Sequence, residues 1–205
     1  MPLAAWIEYV AVSACAVTAV LAADGKGMDL FGALVLALVT AVGGGTIRDL
    51  CLDAPLFWIE QPLYLWTALA AAFGAFVLVR FVNLPHRTLS FIDAWGLALF
   101  GIMGTEKALV FEVPNVVAVL LGIVTGVAGG ILRDVLRNEV PLVFRKDASL
   151  YATAVFAGAL LFVVFRANLP DAKWHRWLAM ALIVSLRLAA MRWNWRLPVL
   201  RLRES

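Results

Sequence analysis

Apolar residues run through this chain in blocks of about twenty, parted by short polar breaks. The pattern predicts seven helical spans at roughly 4–22, 29–50, 62–80, 91–110, 115–136, 148–166 and 177–193. Turn and charge signals fill the breaks: "ADGKGMD", "LDAPLFWIEQP", "NLPHRTLS", "EVPN", "RNEVPLVFRKD" and "NLPDAKWHR". Trp6, Trp58, Trp174, Trp177, Trp193 and Trp195 lie near span ends, where amphipathic rings settle at the headgroup level. Arg187 interrupts the last span and is expected to snorkel to the nearer interface.

The pattern repeats. "TAVGGGTIRDL" (Thr40 to Leu50) returns as "TGVAGGILRDV" (Thr125 to Val135), 85 residues later. Pro55 meets Pro141 after a one-residue slip, and Trp66 to Val79 then aligns with Ala152 to Phe165. Each copy holds three spans. Three is odd, so the second copy enters the membrane from the opposite side, and the copies are inverted repeats of the kind found in many transport proteins. The expected fold is an all-α polytopic membrane protein: seven transmembrane helices, two inverted three-helix repeats plus a seventh helix, with Gly-kinked second and fifth helices. The whole chain, 1–205, is read as one membrane domain. The repeats occupy 4–84 and 91–168, and 173–205 forms the seventh helix and a basic cytoplasmic tail.

Each repeat places glycines and charges side by side, although glycine weakens a helix and charge is costly in lipid. Two readings are open. The glycines can mark broken helices beside a hydrated cavity, where freed carbonyls meet a cation or freed N–H groups an anion. Alternatively they allow close helix packing, with the charges as interfacial ion pairs. The hinge or pore candidates are Gly43, Gly44, Gly45, Ala128, Gly129 and Gly130. Arg48, Asp49, Arg133, Asp134, Lys26, Glu106 and Lys107 are candidate pore-lining or gating charges, with Asp24 beside Lys26. Asp49 and Asp134, or backbone carbonyls, are expected to offset the two arginines. The hydroxyls of Ser13, Thr40, Thr46 and Thr125 are further pore candidates, although helical threonines often bond their own backbone.

Composition narrows the class. The chain is 63% hydrophobic and only 15% charged, which excludes a soluble domain of this size. The net charge of +3 comes from basic residues at span ends, which suit lipid headgroups rather than nucleic acid. Twelve of the seventeen lysines and arginines fall on the side opposite the N-terminus, so the positive-inside rule puts the N-terminus outside and the C-terminus in the cytoplasm. Met1 to Glu8 lacks a basic start, so the first span is expected to be retained. Cys15 and Cys51 are isolated, and His86 and His175 form no ligand cluster, so no metal site is expected. No Gly-x-Ser-x-Gly, His-Glu-x-x-His or Walker lysine occurs, and no enzyme is expected.

The doubled "GGGTIRD" and "AGGILRD", together with "KGMDLFGALVLALVTAVGGGTIRDL", "APLFW" and "RNEVPLVFRKDASLYATA", resemble the trimeric intracellular cation (TRIC) channels, in particular the bacterial branch often labelled a glycine-transporter domain. The likeness covers roughly residues 10–193. It implies a homotrimer with one pore per subunit. Monovalent cations, potassium especially, would pass an hourglass path shaped by the second and fifth helices. Gly43, Gly44 and Gly45 take the first hinge. The second departs from triple glycine, since Ala128 precedes Gly129 and Gly130, which implies a stiffer element. No cofactor is implied. Potassium is the permeant, and lipids and further copies of the chain are the partners, in a prokaryotic plasma (inner) membrane. A secondary carrier of a small amino acid such as glycine is the alternative, and a lipid-binding scaffold a third reading.

Overall fold

Within a bilayer every backbone polar group must be satisfied inside its own segment, so the apolar blocks fold as helices. The computed structural model describes residues 3–82, 85, 87–145, 150–169, 172 and 174–195, with side chains from residue 6 onward. His86, Lys146, Lys173 and the basic tail from residue 196 lie outside the described residues. The long helices are α1 (Leu3–Ala23), α2 (Leu30–Cys51), α3 (Leu63–Val79), α4 (Arg87–Val110), α5 (Asn115–Leu136), α6 (Ala152–Asn168) and α7 (His175–Trp193). They follow the predicted spans within a few residues. The largest shifts, about four residues each, are at α4, which starts at Arg87 because Thr88 N–H already bonds Pro85 O, and at α6, which starts at Ala152. By length and composition α1, α2, α4 and α5 can cross a membrane, while α3 and α6 are shorter apolar helices of 17 residues. The protein is an all-helical integral membrane protein.

Both α2 and α5 are continuous α-helix through their glycines. This corrects the broken-helix reading: helical hydrogen bonding continues and no carbonyls are freed at Gly43–Gly45 or Gly129–Gly130. The side chains of Thr40, Thr46 and Thr125 bond back to the carbonyls of Leu36, Val42 and Leu121, a habit that bends helices without breaking them.

The first three helices pack on one another, as do α4, α5 and α6. The halves meet through like helices, chiefly α1 against α4 and α2 against α5, as a two-fold axis requires. The α2–α5 crossing shows that axis at the residue level. A Cβ at Gly44 would strike Thr125 O, and one at Gly129 would strike Thr40 O. Shifting each member of the first pair by 85 residues into the other half, 44 to 129 and 125 to 40, gives the second. As position rises from 40 to 44 on α2 its partner falls from 129 to 125 on α5, so these helices are antiparallel and the repeats inverted. Only glycine lets two backbones approach so closely. The seventh helix stands outside the repeat and packs on α4 and α6.

The aligned positions also correct the one-residue slip at the prolines. Both α2 and α5 close with a left-handed residue, Asp53 (φ 49°) and Asn138 (φ 56°). Ala54 N–H then bonds Asp49 O, and Glu139 N–H bonds Asp134 O. All these pairs keep the offset of 85. Pro55 and Pro141 occupy neighbouring positions of one turn, and no residue is inserted before them.

Candidate functional site

The Arg-Asp pairs end α2 and α5 on opposite faces of the bundle. In each, the aspartate folds its own loop. Asp49 Oδ2 accepts from Phe57 N–H at 3.0 Å, and Asp134 Oδ2 accepts from Leu142 N–H at 3.0 Å. Both bonds span eight residues, so the left-handed turn brings the chain back over the helix end. The other oxygen holds the neighbouring arginine: Arg48 Nε donates to Asp49 Oδ1 at 2.7 Å, and Arg133 Nε to Asp134 Oδ1 at 2.9 Å. Both carboxylates are almost wholly buried, and their pairing satisfies charge that lipid would penalise.

Beyond this shared core the halves differ. On the N-terminal face, Lys107 Nζ from α4 also donates to Asp49 Oδ1 at 2.8 Å, and the Arg48 guanidinium lies 5.7 Å from the Phe57 ring centre. On the opposite face, Arg133 NH1 reaches Asp93 Oδ1 on α4 at 2.9 Å, and Arg137 stands 3.6 Å from Asp134. Tyr151 adjoins Asp93 and Arg133. The Arg187 guanidinium packs 4.7 Å from the Tyr151 ring centre and donates to Leu150 O at 3.0 Å. Arg187 is 3% exposed, so the snorkelling expectation is wrong. Its stem turns into the bundle because an aromatic face and a backbone carbonyl await it there.

The sequence reading missed two acids. Glu8 on α1 and Asp93 on α4 are also 85 apart, and each meets a tyrosine at the start of the third helix of its repeat. Tyr64 donates its hydroxyl to Glu8, while Tyr151 adjoins Asp93. The repeat offset, applied to every polar residue and not only to the glycine motif, would have paired them.

Two cavities enter from opposite faces. The smaller, about 210 Å³, opens on the N-terminal face and is lined by Glu8, Val12, Arg48, Glu60, Phe100 and Lys107 among others. The larger, about 880 Å³, opens on the other face among Asp24, Ser90, Arg133, Asp134, Glu139 and Arg145. Each reaches one of the two equivalent arginines, and none of the described residues lines both. Along α1 they are separated by the stretch from Val12 to Leu21, about 13 Å at helical rise. In that stretch Cys15 packs against Gly96, where a Cβ would lie 3.1 Å from the sulfur. The two cavities stay apart at this level.

The remaining candidates are bridges and packing groups. Lys26 pairs with Glu139 across the mouth of the larger cavity, and Arg145 holds the same glutamate at 3.2 Å. That hydrogen bond from Lys26 holds the Glu139 carboxyl below the usual glutamate range. Glu106 pairs with Arg176 and so ties α4 to α7. Asp24 lines the larger cavity and a neighbouring one of about 300 Å³. Thr46 accepts from Trp58 Nε1 at 2.9 Å and anchors the short helical turn Phe57–Glu60. Thr40 and Thr125 are buried at the α2–α5 crossing, and Ser13 is half-buried outside both cavities. Among the described residues no cluster of three or more His, Cys, Asp or Glu side chains could hold a metal ion.

The model of a family described as "Glycine transporter" matches the chain twice, over residues 5–80 and 90–167, two segments that begin 85 residues apart. The UPF0126 inner membrane protein YadS of Escherichia coli K12 is 41% identical over 98% of this chain and 97% of its own length. The chain belongs to that family. It is a prokaryotic homologue of the TRIC channels. A TRIC trimeric intracellular cation channel orthologue from Rhodobacter sphaeroides is 35% identical with a TM-score of 0.89, over 95% of this chain and 100% of that one. A structure described as the structural basis for conductance through TRIC cation channels is 31% identical with a TM-score of 0.86, and each chain is fully covered. These TRIC-type relatives are membrane transport proteins and not enzymes. The family label speaks of glycine, whereas the solved relatives are described as cation channels.

Proposed function

We propose that this protein conducts monovalent cations, potassium foremost, passively through a pore within each subunit of a homotrimer. The observation that carries this reading is the pair of cavities on opposite faces, each ending at an equivalent buried arginine whose charge a carboxylate offsets. The full-length likeness to proteins described as TRIC cation channels points the same way. The pore charges are Arg48 with Asp49, Lys107 and, on the other side, Arg133 with Asp134. Lys26 and Glu106 hold loops and helices around the mouths. Gly43–Gly45, Ala128, Gly129 and Gly130 set the crossing of α2 and α5 around which the path narrows. The alternative, a carrier of glycine, needs N–H groups freed from helical bonding to hold a carboxylate, and the unbroken helices offer none at these glycines. The units are the repeats 4–84 and 91–168 with the seventh helix and tail at 173–205. The protein sits in the prokaryotic inner membrane, N-terminus outside and C-terminus cytoplasmic, with lipids around it.

Purified protein in a planar bilayer under a potassium chloride gradient tests this. Discrete currents reversing near the potassium equilibrium potential are expected. A silent bilayer, with glycine uptake into liposomes made from the same sample, would overturn the channel reading. Chemical cross-linking in native membranes should stop at a trimer.

A further inference from the structure

The two acids that the repeat places in equivalent positions do not share a fate. Asp93 is buried and its Oδ1 is held by Arg133 at 2.9 Å. Glu8 has no cation within 4 Å among the described residues, although it lines the same cavity as Arg48 and Lys107. Those two cations are both bound to Asp49 Oδ1. Among the described residues the side-chain hydrogen bond of Glu8 is with a hydroxyl, Tyr64, which donates to the carboxylate. Glu60 lines the same mouth. Among the described residues, Glu8 and Glu60, with Asp49 behind Arg48 and Lys107, make three carboxylates to two cations at the N-terminal mouth. At the opposite mouth Asp24, Asp134 and Glu139, with Asp93 behind Arg133, face Arg133, Arg137, Arg145 and Lys26, in balance.

We infer that Glu8 is the residue that gathers permeant cations at the N-terminal mouth, and that its repeat counterpart Asp93 has been converted into a structural partner of Arg133. This rests on the channel reading above. A narrow mouth with low-dielectric walls and one excess negative charge concentrates cations locally. The consequence is directional: cations entering from the Glu8 side find a higher local concentration than cations entering from the other.

The test is single-channel recording of the wild type and of Glu8→Gln, Glu8→Asp and Glu8→Lys in symmetrical potassium chloride, at about 0.05 M and about 1 M, where the screening length shortens from over 10 Å to about 3 Å. The wild type should rectify at low salt, with one polarity larger by about two-fold, and lose this at high salt. Glu8→Gln should abolish the low-salt rectification and leave the high-salt current near wild type. Glu8→Asp should keep the rectification, and Glu8→Lys should reverse its sense. A wild-type channel that does not rectify at low salt overturns the inference without recourse to any variant. So does a Glu8→Gln channel with equal losses at both salts, because that marks a brace for Tyr64 and not a charge. A wild-type protein that passes no current at all defeats the channel reading itself, and this inference with it.

Discussion

Asp49 and Asp134 each bind three things: the preceding arginine, their own returning loop, and a further cation. Removing Asp49 leaves Arg48 buried without a carboxylate and a loop N–H unbonded, whereas removing Asp134 leaves Arg133 only Asp93 and likewise frees a loop N–H. Breaking a buried pair in this way costs about 3–5 kcal/mol. Asp49→Ala and Asp134→Ala should thus lower the melting temperature in detergent sharply, as read by the loss of the folded peak in size-exclusion chromatography after heating. Asn at either site should do less harm, since its oxygen can still accept the loop N–H. Melting curves superimposed on wild type would show that the pairs contribute little. Glu139 offers a milder titration outside the membrane-spanning segments. Its folded-state value is depressed by the hydrogen bond from Lys26, so the bridge contributes above the unfolded value and is lost as pH falls through the folded one. Carboxyl NMR should find Glu139 titrating below the other exposed glutamates, and Lys26→Gln should raise it. No change on that substitution would mean the latch is not formed in solution.

At the scale of elements, the glycine triplet divides into three tasks. Gly44 faces backbone: an added Cβ would meet Thr125 O, which belongs to a helix and cannot step aside. Gly45 faces the Phe57 ring, with a Cβ contact of 2.6 Å. Gly43 meets only the tip of Leu132 at 2.6 Å, and a flexible side chain can turn away. The second repeat agrees, carrying Ala128 where Gly43 stands, while Gly129 keeps the backbone contact with Thr40 O. Gly44→Ala and Gly129→Ala should each destabilise the α2–α5 crossing by about 1–3 kcal/mol, the usual cost of overpacking. Gly43→Ala should be close to neutral. Equal melting of Gly43→Ala and Gly44→Ala would contradict this division.

For the molecule as a whole, the two-fold relation explains the architecture and its breakage explains the asymmetry. Like helices meet across the axis, so a cavity forms on each of the two opposite faces, one at each equivalent arginine. The seventh helix has no counterpart in the first repeat. It packs on α4 and α6 and sends Arg187 over Tyr151, beside Asp93 and Arg133. Arg187→Leu should loosen the start of α6, seen as faster hydrogen exchange at Ala152–Phe156 than at the equivalent start of α3. Unaltered exchange there would mean that α7 only packs.

Much of this was legible in the chain. Block length and hydropathy determined the number and placement of the helices, because a bilayer core fixes how many apolar residues a helix needs. The repeat of Gly-Gly-x-x-Arg-Asp at an odd number of spans determined the inversion, because counting crossings requires no coordinates. The pairing of Arg48 with Asp49 and of Arg133 with Asp134 also followed from adjacency in a medium that penalises lone charge. The task of the glycines did not. Bending, unwinding and close approach all favour the same residue, and only the backbone of α5 lying against Gly44 decides among them. Nor did the sequence show that Glu8 and Asp93 differ, or that Arg187 points inward. These depend on which helix stands beside which, and on the single helix that breaks the two-fold symmetry, so the tertiary structure alone decided them.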